Sequence, residues 1–119
     1  MPSALTNEND LPFAPFEHYM LADDRVDLPM CFYVRLSFQG CFDKPALQNS
    51  FAQAVSRHPL LHSVHVGSAD DRTSRLRWRP ANTRAPKVRW LDRHDDMHQA
   101  HRPHIDLTAE TGIRLYAIR

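Results

Sequence analysis

Eight histidines in 119 residues are the first side chains to weigh for chemistry. His94, His98 and His101 stand at i, i+4 and i+7, with His104 three further on. On a helix the first three would share one face, a layout that suits an imidazole-bound metal. Against that, the run ends in Arg102-Pro103, carries no glutamate in the His-Glu-x-x-His position, and places Asp95 and Asp96 elsewhere around the helix. A solvated helix or loop is the favoured reading, with His94, His98 and His101 as the weaker, metal-binding alternative. His62 and His65 fall on opposite faces of one expected strand, so they cannot act together. His58 lies on the apolar stripe of an expected helix, where a packed core histidine is the usual outcome. No serine or cysteine sits in a nucleophile motif, and three scattered glycines cannot build a phosphate-cradling loop. The acidic pairs Asp23/Asp24, Asp70/Asp71 and Asp95/Asp96 are adjacent in the chain and do not face one another. The residues by themselves therefore define no catalytic constellation.

Charge offers a second kind of chemistry. The net charge is +1, but residues 72–93 hold 8 basic and 1 acidic side chains, while residues 1–71 hold 4 and 9. Alternation puts Arg75, Arg77 and Arg79 opposite Leu76 and Trp78, and Lys87 and Arg89 opposite Val88 and Trp90. If the two strands pair, the resulting basic hairpin gathers five cations on one face. Such a face could bind anions or nucleic acid. A solvated outer sheet face is preferred, because no exposed aromatics for base stacking and no nucleic-acid-binding motif accompany it. No nucleic-acid partner is expected.

The elements that must position these residues follow from periodicity. Residues 1–10 read as a flexible polar lead, and residues 11–119 as one partial unit. The stretch 11–21 is broken by Pro12 and Pro15, and its type stays open between a strand and a helical turn. Residues 31–38 are the clearest strand: Phe32, Val34, Leu36 and Phe38 alternate with Cys31, Tyr33, Arg35 and Ser37. A helix begins near Asp43-Lys44-Pro45 and carries the stripe Leu47, Phe51, Ala54, Val55 and His58 until Pro59 ends it. Strands are expected over 60–66, 75–79, 87–91 and 113–118, with a histidine-rich linker over 92–104. The fold class is α+β: a mixed β-sheet with one long helix packed on a face. No run approaches 18 apolar residues, so no membrane span is expected. The first ten residues show no basic start and no apolar stretch, which points to the cytoplasm. Cys31 and Cys41 are too few for a disulfide framework and are expected to be reduced and buried.

Several segments resemble the CoA-dependent acyltransferase superfamily, which includes chloramphenicol acetyltransferase, condensation domains of peptide synthetases, and alcohol or wax-ester acyltransferases. The segments are Leu36 to Gly40, Phe42 to Leu47, and Ala54 to Leu61 with its Arg57-His58-Pro59-Leu60 run. Pro12 to Leu21, with Glu17, is similar to the family's opening element. Ile105-Asp106-Leu107 followed by Gly112-Ile113-Arg114-Leu115 is similar to its Phe-Asp-Leu … Gly-Pro-x-Leu-Arg segment. The likeness spans roughly residues 11–119 and implies part of that fold's N-terminal lobe. It implies a structural role for Arg57, His58, Pro59 and Leu60, and makes Glu17, His18 and Met20 candidates to line a substrate channel. It also implies that the parent takes acyl-CoA or a carrier-protein thioester, no cofactor being expected in this chain itself.

One departure matters for chemistry. The family's His-His-x-x-x-Asp-Gly motif supplies the general base, and this chain has no His-His pair and no histidine followed by aspartate four residues later. The expectation is an N-terminal acyltransferase fragment with no catalytic residue of its own. Its partners would be the remainder of the fold or a second copy of the chain. The alternative is a noncatalytic interaction module that binds through a sheet face or the basic hairpin.

Overall fold

A computed structural model describes residues 8–67, 75–93 and 104–118. The class is mixed α+β, as expected, but the described residues form two small sheets and two helices rather than one sheet and one long helix. β1 (Leu11–Pro12), β2 (Ser63–Val66) and β3 (Arg77–Pro80) form an antiparallel sheet in the order β1-β3-β2. β4 (Val88–Leu91) and β5 (Leu115–Ile118) form a separate parallel pair, Val88 opposite Leu115 and Leu91 opposite Ile118. The two arginine-rich strands therefore lie in different sheets, and the basic hairpin does not form. β3 instead pairs with β2, placing Val64 opposite Arg79 and His65 opposite Trp78.

Helix α1 (Pro15–Asp23) resolves the open element near the N-terminus. Pro15 occupies its first turn, where a missing N–H is harmless, and the Glu17 carboxylate accepts from the Ala14 N–H at 2.7 Å. Helix α2 (Lys44–Ser56) starts as the sequence indicates, with the Asp43 side chain accepting from the Ala46 N–H at 3.2 Å. It ends before Pro59, and the chain passes through a 3₁₀ turn over Pro59–His62 into β2. Gln48 on α2 caps the start of β4, its Oε1 accepting from the Val88 N–H at 3.0 Å. That bond and the half-buried Leu47 and Phe51 seat the helix against the parallel pair.

The clearest strand of the sequence is the largest correction. Residues 31–38 join neither sheet. Phe32, Val34, Leu36 and Phe38 are all exposed, Phe32 to 85%, and the same alternation continues back through Met30 and Leu28, also exposed. A strand is stable only when its N–H and C=O groups have a ladder and its apolar face a cover. Here the pattern is present, and among the described residues no strand pairs with it. Among the described residues the buried apolar side chains are Phe13, Val55, Val64, Leu76, Val88 and Ala117. No helix of the described residues is long and apolar enough to cross a membrane.

Candidate functional site

The three channel candidates lie on α1, and the structure separates them. His18 lines a cavity of about 540 Å³ together with Pro12, Phe13, Pro15, Arg75, Leu76 and Arg77. Its ring meets Phe13 edge-on at 5.4 Å, and Phe13 in turn stacks on Trp78 at 4.4 Å. Glu17 has a structural task. One carboxylate oxygen, Oε2, accepts from both Ala14 N and Trp78 Nε1, at 2.7 and 3.2 Å, which ties α1 to β3. Met20 is half-buried and does not line that cavity. Of the three, only His18 lines this cavity.

Asp10, in the polar lead of the sequence, organises the arginine-rich strand. Its carboxylate is fully buried and takes Arg79 in a two-pronged pair, Nε at 3.0 Å and Nη2 at 2.9 Å. Arg77 donates from Nη2 to the Asp10 carbonyl at 3.3 Å, while its buried Nε has no hydrogen-bond partner. Two of the cations assigned to an open basic face are thus held by one buried acid. No local signal pointed to Asp10, which lies 69 residues from Arg79 in the chain.

The Arg57-His58-Pro59-Leu60 run closes α2, as its type implies: Arg57 N–H donates to Ala54 O and His58 N–H to Val55 O. The 3₁₀ turn over Pro59–His62 that follows lies against α2 and against β2 and β3. His58 is exposed rather than a core histidine, and Leu60 is 40% exposed. The buried work falls to Val55, Val64 and Ser63, whose hydroxyl donates to Pro59 O at 2.7 Å. The small Ser63 side chain fits a close crossing of turn and strand that a longer residue would block.

Residues 104–114 fold into a hydrogen-bonded turn that leads into β5. Asp106 Oδ1 accepts from Thr108 N–H and Oγ, at 3.0 and 2.6 Å, and these bonds hold its carboxyl below the usual range. Leu107 O accepts from His65 N–H at 2.9 Å and so joins this turn to β2. Arg114 grips Glu110 with two bonds of 2.7 Å, which lowers the Glu110 pKa and raises that of Arg114. His104 Nε2 meets Asp24 Oδ2 at 2.9 Å, and Asp24 Oδ1 accepts from Met30 N–H at 2.8 Å. That pair ties the base of the uncovered 28–38 stretch to the turn.

His94, His98 and His101 lie outside the described residues. Among the described residues no group of three His, Cys, Asp or Glu side chains is placed to hold a metal ion. Both cysteines are free thiols, and Cys41 is exposed rather than buried. Among the described residues that line the cavity at His18 there is no serine, threonine or cysteine. Comparison with protein-family models, curated proteins and solved structures gave no match.

Proposed function

We propose that this chain is the N-terminal part of an acyltransferase or condensation-type enzyme, whose complete form moves an acyl group from acyl-CoA or a carrier-protein thioester to an alcohol or amine. The observation that carries the reading is the uncovered stretch over residues 28–38, an apolar face with no ladder, set within the ordered series of motifs that resembles that superfamily. A strand of this composition belongs inside a sheet, and the rest of such a lobe would supply its neighbour. In the complete reaction a base takes the proton of the acceptor O–H or N–H. The oxygen or nitrogen then attacks the thioester carbonyl, and the thiol departs. No histidine here matches the motif that supplies this base. In this proposal His18, Arg75 and Arg77 form a substrate-side wall, and the 119-residue chain is inactive.

The test follows thiol release from acyl-CoA in the presence of short alcohols and amines. The chain alone should release no thiol above the blank, and turnover would overturn the inactive assignment. A reading frame that continues shortly past Arg119 into His-His-x-x-x-Asp-Gly supports the acyltransferase reading, and its absence sinks it. The exposed 28–38 face also favours a second reading, a noncatalytic module that binds a partner chain along that edge. Intact protein that stops soon after residue 119 and pulls down a single partner through this stretch would establish it.

A further inference from the structure

A second concave surface lies where β4 and β5 begin, away from His18. Its walls hold Arg84, Lys87, Arg89 and Arg114, with Glu110 and Thr111 completing a cleft of about 240 Å³. We propose that this cleft binds a compact phosphate-bearing anion, a phosphate monoester or a diphosphate group. The inference rests on the cleft alone and does not depend on the acyl-transfer reading.

The charge balance carries it. Glu110 is the single carboxylate among the lining residues, and both its oxygens are taken by Arg114. Arg84 donates from Nη1 to the carbonyls of Thr108 and Ala109, at 3.1 and 3.3 Å, which aims the guanidinium without neutralising it. Arg89 donates to the Tyr116 hydroxyl at 3.3 Å and lies over its ring at 5.7 Å, again an orienting contact with a neutral group. Lys87 is exposed at the rim. Asp106, a nearby acid whose bonds to Thr108 leave its charge in place, does not line the cleft. Among the lining residues three cationic charges remain, more than one carboxylate ligand would balance and, with Asp106 close by, suited to a phosphate group of charge near −2.

Arginine matches phosphate oxygens with paired donors, and an oriented guanidinium loses little freedom on binding. The concave shape favours a small ligand over a polynucleotide. Arg77 and Arg79, which would extend a basic track, are committed to Asp10. A nucleic acid needs such a track of cations and stacking aromatics, not a single cleft.

Isothermal titration calorimetry with inorganic pyrophosphate, and separately with inorganic phosphate, at fixed ionic strength tests the proposal. One saturable site is expected. Lys87→Gln and Arg89→Gln should each weaken pyrophosphate binding about 10-fold, the size of a lost charge-assisted hydrogen bond. Lys87 is an exposed side chain away from the core, so the effect of Lys87→Gln reads charge and not folding. Arg25→Gln, an exposed loop change of the same charge, should alter binding less than about 2-fold. Absence of saturation, an equal loss in Arg25→Gln, or displacement of pyrophosphate by a short single-stranded oligonucleotide at lower concentration would each overturn the proposal.

Discussion

At the scale of single residues, the best-determined features are acids that hold arginines in place. Asp10 is buried under Arg77 and Arg79, whose side chains keep about a third of their surface in water. Asp10→Ala would leave two cations without their acid at the join of β1 and β3. Because the arginines can still reach solvent, the expected loss is about 2 kcal/mol rather than the larger figure for a fully buried pair. An unchanged urea midpoint would remove Asp10 from this role. His65 makes the pH prediction. Burial lowers its pKa, with Asp106 opposing, and its Nδ1 is buried without a hydrogen-bond partner. The unfolded chain then takes the proton first, so this contribution to stability is present above about pH 6.5 and declines as pH falls through the lowered value. Thermal midpoints should drop between about pH 7.5 and 5.5, and His65→Leu should flatten that slope. The Asp43 cap was legible in the sequence because cap and proline are neighbours. The Asp10–Arg79 pair was not, since 69 residues separate the partners and only the fold brings them together.

At the scale of elements, periodicity read the faces well and the neighbours badly. The start of α2, its exit at Pro59, β4 and β5 follow from local signals that act within a few residues. Residues 31–38 show the limit. Alternation says which face of a strand seeks cover, but whether a ladder exists depends on other segments being present to supply it. The arginine-rich strands failed for a related reason: nearness in sequence suggested a hairpin, yet β3 found β2 and β4 found β5. Hydrogen exchange should expose the difference directly. Amides of residues 31–38 should exchange much faster than those of β2 and β3, and comparable protection would mean that the stretch is paired in solution. Phe32→Ser, at the most exposed position, should change unfolding free energy by less than about 0.5 kcal/mol while reducing binding of a hydrophobic dye.

At the scale of the molecule, area and size agree that the fold is open. The accessible surface is 9572 Å², whereas a compact monomer of 13.8 kDa exposes about 6,600 Å². The radius of gyration is 16.5 Å against about 13.5 Å for a compact domain of this length, with extents of 54 × 31 × 23 Å. Apolar side chains contribute to this surface: Leu28, Met30, Phe32, Val34, Leu36 and Phe38 are at least 40% exposed along one stretch. Contiguous apolar surface of this kind associates in water at concentrations where an ordinary monomer does not. Light scattering over a rising concentration series tests the central claim, that this face lacks its cover, most directly. The account predicts a weight-average mass that climbs above 13.8 kDa and falls back toward it when Phe32→Ser is combined with Leu36→Ser. A mass fixed at 13.8 kDa up to the solubility limit, identical in the variant, would contradict it.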